Sequence, residues 1–540
     1  MKKMFMALTI AMAFGVMTLK AQSADIPMSV YDNLPFTMPK VAGPAFSSTT
    51  IRLEDFGGKG DGKTVNTSAF AKAIDALSAR GGGVLEVLAG TWVTGPIVLK
   101  SNVNIHTEKG TKVLFTTDRN AYPLGVHTFE GEETFRCQSN ISADNAENIA
   151  ITGEGIFDGS GQVWRPVKKV KVTSAMWDEL VASGGVLDEK KSMWYPSEGS
   201  LLGNQHNGNQ PKTEKEWQRI KDALRPVMVN FTSCKNVLLS GITVSNSPSW
   251  TIHPLMCTNV ILSNVKVENP SYGQNTDGID IESCKNVVIY QTTVSVGDDG
   301  ICIKSGKDEA GRKRGMPTEN VIVKNCTVYH AHGGFVIGSE MSGGAKNIKV
   351  SDCVFKGTDT GLRFKSTRGR GGVVENIYVE NISMANIVGD AAIFDLFYGV
   401  KGDKGMKEAD VTTPSFRKIV MKNITCQGAK RAFFWNGLPE MKLKDISLEN
   451  GLFITEQGAV IGDADGIKLS NVQIRASVTP ELLINNAKNI QMDKIEFPGN
   501  DNPRVDISGE SEAIFIRNSE SINKNSISAT PKIWSRIVLK

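Results

Sequence analysis

A short phrase recurs along most of this chain. It runs Asn, apolar, any residue, apolar, then two or three polar or small residues, then apolar–polar–apolar. It stands at Asn148-Ile149, Asn236-Val237, Asn259-Val260, Asn286-Val287, Asn320-Val321, Asn347-Ile348 and Asn376-Ile377, weakens at Lys418-Ile419 and Lys468-Leu469, and returns at Asn489-Ile490. Within each copy the apolar residues alternate, as in Val321–Val323 and Val350–Val354. That is strand periodicity and excludes a helical repeat. Regularly spaced Leu, which a leucine-rich repeat would need, is absent, and propeller blades are longer with their own aromatic signatures. The pattern predicts an all-β chain, a right-handed single-stranded parallel β-helix. Each turn would add about three short strands, and the apolar residues would stack inward into one continuous core. The recurrent Asn would stack on its copies, with side-chain amides bonded along the column at a tight bend.

A coil needs its ends covered. Asn66–Arg80 reads as a short N-terminal capping helix: Asn66, Thr67 or Ser68 starts it, Phe70, Ile74 and Leu77 share a face, and Gly81–Gly83 stop it. The organisation expected is an N-terminal extension over 22–50, the coil over 51–500, and a cap or tail over 501–540. The coil is interrupted at 164–225 by a segment rich in Trp and Lys, and its aromatic content argues against disorder. Gly399–Pro414, rich in Lys and Asp, reads as a second, exposed loop.

Residues 1–21 read as an export signal, with Lys2 and Lys3, an apolar stretch Met4–Thr18 and a small residue at Ala21. The product would be exported, periplasmic or secreted, with no membrane anchor. Losing Lys2, Lys3 and Lys20 takes the net charge from +4 to +1. A near-neutral chain offers no global attraction to nucleic acid or membrane, so an anionic ligand must be held by a local cluster of cations. Eight cysteines in an exported chain suggest disulfides. Yet Cys234, Cys257 and Cys284 each precede the same Asn-Val phrase, which points to small buried side chains stacked turn on turn. A bond between stacked neighbours is geometrically open.

Two acidic segments lie one repeat apart, Asn275-Thr276-Asp277-Gly278 and Gly297-Asp298-Asp299-Gly300, and His332 and Arg363-Phe364-Lys365 follow at later repeats. Stacked turns lie about 4.8 Å apart, so equivalent positions fall into a column. Asp277, Asp298/Asp299, His332 and Arg363/Lys365 are expected in one such column. Carboxylates this close cannot all ionise, which leaves an acid beside a base, as cleavage of a glycosidic bond requires. Arg363 and Lys365 alternate along a strand and point the same way, a pair of cations suited to a substrate that is itself a carboxylate. Each segment alone is commonplace: Asp-Asp-Gly is a frequent turn, clustered Asp also binds Ca²⁺, and a lone His is usually structural. Their order and spacing together carry the argument.

These four segments resemble the signature segments of the polygalacturonases, glycoside hydrolase family 28. The phrases Gly300–Gly306 (GICIKSG), Gly333–Glu340 (GGFVIGSE) and Pro248–Pro254 (PSWTIHP) add to the likeness, which runs from about Asp55 to Asn489. The resemblance implies a pectate-lyase-like coil that hydrolyses α-1,4-linked galacturonic acid with inversion and takes a pectic polysaccharide or oligogalacturonide as substrate. It implies no metal and no cofactor. By that match Asp298 is the general acid, Asp277 and Asp299 position and deprotonate water, and His332 tunes the acid's protonation or helps hold the site. Asn275, Arg363 and Lys365 would bind sugar carboxylates and hydroxyls, with Tyr398 a further substrate contact. The chain departs from the family pattern at Ala331, where Gly often precedes the His, and at Phe364, where Ile is commoner. The first is expected to narrow the backbone's approach to the sugar.

The 164–225 insertion is expected to wall off one end of the cleft and impose exo action, with Arg165, Lys168, Arg368 and Arg370 holding carboxylates nearby. Alternatives are a rhamnogalacturonan hydrolase of the same family, a calcium-dependent pectate lyase on a similar coil, and a carbohydrate-binding solenoid without catalysis.

Overall fold

The computed structural model describes residues 19–21, 26–205 and 213–540. The charged start and apolar stretch of the export signal lie outside the described residues. The backbone of Leu19–Ala21 pairs antiparallel with Ala45–Ser47. Among the described residues, no helix is long and apolar enough to cross a membrane.

The chain is a right-handed parallel β-helix. One turn shows how it is made. Ile279–Glu282, Lys285–Tyr290 and Thr293–Ser295 are three strands separated by bends, and Ile301–Lys304 then lies on Ile279–Glu282 in register, Ile279 on Ile301 and Ile281 on Ile303. Alternation puts Ile279 and Ile281 in the core and turns Asp280 and Glu282 outward. One inward column passes from Leu85 through Ile105, Ile151, Leu239, Leu262, Ile289 and Val323, and continues by the same pairings to Met492 and Ile516. Each of these side chains is buried. Burial at roughly 25 cal/mol per Å² of apolar surface, repeated at every turn, is what holds the coil together.

The Asn column forms as the repeat predicts and begins one turn earlier, at Asn102. Asn148 donates to Asn102, Asn236 to Asn148, Asn259 to Asn236, Asn286 to Asn259, Asn320 to Asn286, Asn347 to Asn320 and Asn376 to Asn347, at 2.9–3.2 Å. Each Asn has a positive φ, a conformation Asn tolerates better than most residues. At the weakened end the register differs from the sequence reading. Ile446 pairs with Ile467, so Gly466, not Lys468, holds the bend position. Asn286→Ala removes two rungs and leaves a non-Gly, non-Asn residue at φ +59°. We expect a loss of about 2–4 kcal/mol, read from the urea unfolding midpoint.

The N-terminal helix spans Thr67–Ala79 and buries Ala69, Phe70, Ala73, Ile74 and Leu77 against the end of the coil. Asn66 precedes it without capping it. Its amide is spent on Lys59 and on the carbonyls of Thr64 and Val93, fastening the helix entry to the first turns. At the other end the strands Val505–Ser508, Glu512–Arg517, Ile527–Ser528 and Ile537–Leu539 continue the stacking, with a short helix at Pro531–Trp534. All eight cysteines are free and buried. Cys284 stacks beneath Cys257, whose backbone N–H lies 3.3 Å from its sulfur.

The 164–225 insertion is a small folded unit. A three-stranded sheet (Val167–Lys168, Met193–Tyr195, Val186–Leu187) packs with the helix Ser174–Ala182 around Val167, Trp177 and Trp194. A hairpin that the repeat does not announce, Leu124–Phe129 with Glu132–Cys137, stands beside it. The loop at 399–414 is mostly exposed.

Candidate active site

The site lies on the outward face where the turns bearing Asp277, Asp299, Gly333 and Arg363 stack. The two Asp-Gly bends are forced by packing. A Cβ on Gly278 would lie 2.5 Å from Val294 Cγ1 and 2.6 Å from the Gly300 carbonyl, and one on Gly300 would lie 2.6 Å from Val328 Cγ1. Glycine at both places lets each chain turn tightly into its strand and leaves the preceding Asp at the mouth of the turn. Gly278 N–H bonds to the Asp299 carbonyl and His332 N–H to the Asp298 carbonyl, so adjacent turns are locked in step.

The sequence reading placed all these groups in one column. The register corrects that. Asp277 and Asp299 sit two residues before Ile279 and Ile301, whereas Arg363 and Lys365 lie within the strand Leu362–Lys365, in the rows of Cys302 and Lys304. The cations therefore form columns of their own and reach back to the acids. Arg363 Nη1 is 2.8 Å from Asp299 Oδ1 and Lys365 Nζ is 2.6 Å from Asp299 Oδ2.

One pocket of about 400 Å³ brings together all eight residues singled out from the sequence: Asn275, Asp277, Asp298, Asp299, His332, Arg363, Lys365 and Tyr398. Oxygens of the three aspartates lie within 4.8 Å of one another. His332 Nδ1 is 3.1 Å from Asp298 Oδ1. The Tyr398 ring lies beside both cations, 5.8 Å from the Arg363 guanidinium carbon and 5.2 Å from Lys365 Nζ. The Asn275 side-chain oxygen accepts from Arg225 Nη2 at 2.7 Å.

Their environments separate the three acids. Asp277 is 4% exposed, and burial, then Asp298 and Asp280, push its carboxyl well above the usual range. Burial also opposes ionisation of Asp299, but Lys365, Arg363 and Lys304 outweigh it and hold this group far below that range. Burial raises Asp298 as well, and the hydrogen bond with His332 brings it below its ordinary value. The cluster thus holds a proton-carrying carboxyl beside ionised ones. A Ca²⁺ ion bound by all three would have to compete with the two ion pairs that occupy both oxygens of Asp299.

Several residues were not singled out by the repeat. Trp250, Lys304, Lys307, Ser339 and Glu340 also line the pocket, and Glu130 enters from the hairpin. Arg225, more than nine-tenths buried, uses Nη1 on the carbonyls of Pro248 and Gln274 and so pins Asn275. The hairpin tip is fixed over the cleft, with Phe129 packed on Trp250 at 4.7 Å and Glu132 2.8 Å from Lys307. Among the described residues, the 164–224 segment contributes nothing to this pocket. It lines a neighbouring cavity of about 780 Å³, through Gly203, Asn204, Trp217, Ala223 and Leu224, which meets the pocket at Glu130 and Asn275.

Three expectations change. Arg165 holds no ligand: it is 2% exposed and bonds to the Ser247 carbonyl and Asn246. Arg368 is paired with Glu440 and Lys168 is exposed away from the pocket, so of the four accessory cations Arg370 alone lines it. Ala331 does not narrow the approach to the sugar, because its methyl is buried in the core. Phe364 also points inward, stacked on Phe394, and leaves the flanking cations outward as expected.

A carboxylate cluster with cations on a parallel β-helix defines a carbohydrate-cleaving class of protein. The family model "Glycosyl hydrolases family 28" matches residues 168–451. The chain belongs to this family of glycosidases. It is 30% identical over 346 residues to a probable polygalacturonase of Vitis vinifera, covering 62% of this chain and 60% of that one. It is 27% identical over 387 residues to an exo-poly-alpha-D-galacturonosidase of Dickeya chrysanthemi, covering 70% and 62%. The chain thus spans about three fifths of the length of these two relatives. Endo-polygalacturonases of Pectobacterium are also among its relatives. The crystal structure of a hyperthermoactive exopolygalacturonase from Thermotoga maritima superposes with a TM-score of 0.64 at 31% identity, covering 84% of this chain and 94% of that one.

Proposed function

We propose that the protein hydrolyses α-1,4 bonds between galacturonic acid units of pectin, at chain ends and with inversion. The carrying observation is geometric: three carboxyls with oxygens within 4.8 Å of one another, one of them held by both Arg363 and Lys365. Asp298 is the general acid. Its side chain is 20% exposed to the cleft, against 2% for Asp299, so it is the carboxyl a leaving oxygen can reach. Burial and the neighbouring Asp298 favour a proton on Asp277, and the coupled pair delivers it to the leaving oxygen through Asp298, the more exposed of the two. Asp299, kept ionised by its cations, and Asp277 once it has released the proton, hold and deprotonate the water. His332 governs when Asp298 carries the proton. Arg363 and Lys365 receive a sugar carboxylate, with Asn275 and Tyr398 on the ring hydroxyls and face.

Exo action is supported by the hairpin tip held over the cleft through Phe129 and Glu132, and by the likeness to an exopolygalacturonase at 31% identity. Export to meet a polymeric substrate belongs to the same reading. Oxygens within 4.8 Å are closer than the usual separation of an inverting pair. Inversion is retained because three carboxyls can hold a water where two could not. A second reading, cleavage at galacturonic acid next to rhamnose, is favoured by one feature: the adjoining cavity sets Glu130 and Glu133 beside Trp217, while its two arginines, Arg136 and Arg225, are buried, a lining suited to an uncharged sugar.

Incubation with polygalacturonate and with rhamnogalacturonan fragments, followed by chromatography, separates the readings. We expect one short product from polygalacturonate from the earliest times, with no unsaturated, ultraviolet-absorbing sugar. Early mixed-length oligomers overturn exo action. Proton NMR of the first-formed anomer is expected to show inversion, and a retained anomer overturns that assignment.

A further inference from the structure

Two of the phrases behind the family likeness contain charged residues with no part in this reading: Lys304 in Gly300–Gly306 and Glu340 in Gly333–Glu340. The structure joins them. Lys304 ends the strand Ile301–Lys304 and points outward beneath the aspartates. Its Nζ lies 3.0 Å from Glu340 Oε2, 3.7 Å from Asp280 Oδ1 and 4.6 Å from the centre of the Trp250 ring. Lys304 is 3% exposed and Asp280 fully buried, and neither oxygen of Asp280 accepts a hydrogen bond. Five carboxyls therefore meet around this floor: Asp277, Asp280, Asp298, Asp299 and Glu340. Lys304, Arg363 and Lys365 are the cations nearest them, buried Arg225 acts on Asp277 and Asp298 from beside Asn275, and Lys307 and Glu130 line the same pocket. Arg370 stands at the rim, 4.0 Å from Glu340 and paired with Asp308, and His332 adds charge only when protonated.

Five acids crowded into one buried site do not all ionise, so the placement of each cation decides where protons sit. We propose that Lys304 and Glu340 form a positioning couple that sets the distribution of protons over Asp277, Asp298 and Asp299. Lys304 supplies buried positive charge to the catalytic acids, and Glu340 limits how much of it they feel. The surrounding electrostatics agree. Burial works against the Lys304 cation, yet Cys302, Glu340, Asp280 and Asp277 together hold its ammonium well above the ordinary lysine range. Against burial, Lys304 and Lys365 hold Glu340 down to about 2. Neither residue need touch the substrate for this. The inference rests on the hydrolytic reading of the three aspartates.

The test compares pH profiles of kcat/KM on polygalacturonate. Lys304→Gln removes a cation, so both limbs of the bell should move to higher pH, by about one unit. Glu340→Gln leaves Lys304 unopposed, so both limbs should move to lower pH. A merely structural role lowers the height and leaves the limbs in place. Profiles that coincide with the parent's, or that move in the same direction, overturn the proposal. If Lys304→Gln does not fold, the direction of the Glu340→Gln shift decides. Titration of ¹³C-labelled aspartate carboxyls needs no substrate and should show the same opposite displacements. A parent inactive on polygalacturonate sinks the hydrolytic reading, while this titration still tests the couple.

Discussion

Asp298→Asn abolishes most hydrolysis of polygalacturonate, lowering kcat by about 10²–10⁴-fold with KM little changed. The argument is geometric first. Among the three acids Asp298 is the one with a side chain open to the cleft, and it is held by His332 at 3.1 Å. An amide of the same shape can keep its oxygen there, accepting from Nδ1–H and from the Asp299 N–H that bonds to the same oxygen at 2.9 Å, so the fold and the water-holding pair survive, and the melting temperature should stay near the parent's. What is lost is the proton for the leaving oxygen. An aryl galacturonide, whose leaving group needs little protonation, should therefore restore much of the rate to Asp298→Asn. It should not rescue Asp299→Asn, which lacks the base. Equal losses on both substrates in both variants would overturn the assignment, and an undiminished rate in Asp298→Asn would take the acid's role away from this residue. Initial rates by reducing-sugar and chromogenic assays give the comparison.

What the sequence made legible was whatever the repeat enforces. Asn286 and its copies recur because each bend repeats the same left-handed conformation, so the stacked column followed from the spacing. Asp277, Asp298, Asp299 and His332 were legible because each sits at the mouth of a turn whose following Gly packs too closely for a side chain. The stacking of Cys257 and Cys284 was legible for the same reason. The offset of Arg363 and Lys365 was not, because a shift of a few residues within a turn leaves the apolar pattern unchanged, and only strand register resolves it. Contacts from outside the repeat were also hidden. Glu130 reaches the pocket on a hairpin whose position depends on Phe129 meeting Trp250 and Glu132 meeting Lys307. Arg225 serves Asn275 from the end of an irregular insertion. Neither has periodicity to betray it. Arg165 shows the converse: a cation beside aromatic residues looked like a ligand for carboxylates, and burial has turned it into a staple for the Ser247 carbonyl and the Asn246 side chain.

Lys365→Met separates the two tasks of the cation pair. Asp299 is 1% exposed and Lys365 8%, so their 2.6 Å contact is shielded from water. Removing one partner of a buried pair typically costs 3–5 kcal/mol, and because Arg363 still holds the other oxygen we expect about 3 kcal/mol at neutral pH. The sign of the pH dependence follows from Asp299. Its carboxyl titrates below the unfolded value of about 3.9, so its contribution to stability is complete above that value and is lost as the pH falls through the folded one. In Lys365→Met the depression shrinks, and the stability deficit should be largest near neutrality and close on acidification. The same change leaves the substrate carboxylate with Arg363 alone and makes Asp299 easier to protonate, so KM should rise and the acid limb of activity should move to higher pH. Urea unfolding of parent and variant from pH 7 down to pH 2 measures the first effect, because the gap closes only below the unfolded value of about 3.9, and kcat and KM between pH 3 and pH 7 measure the second. A stability gap that stays constant with pH would mean that Asp299 does not depend on Lys365 for its charge.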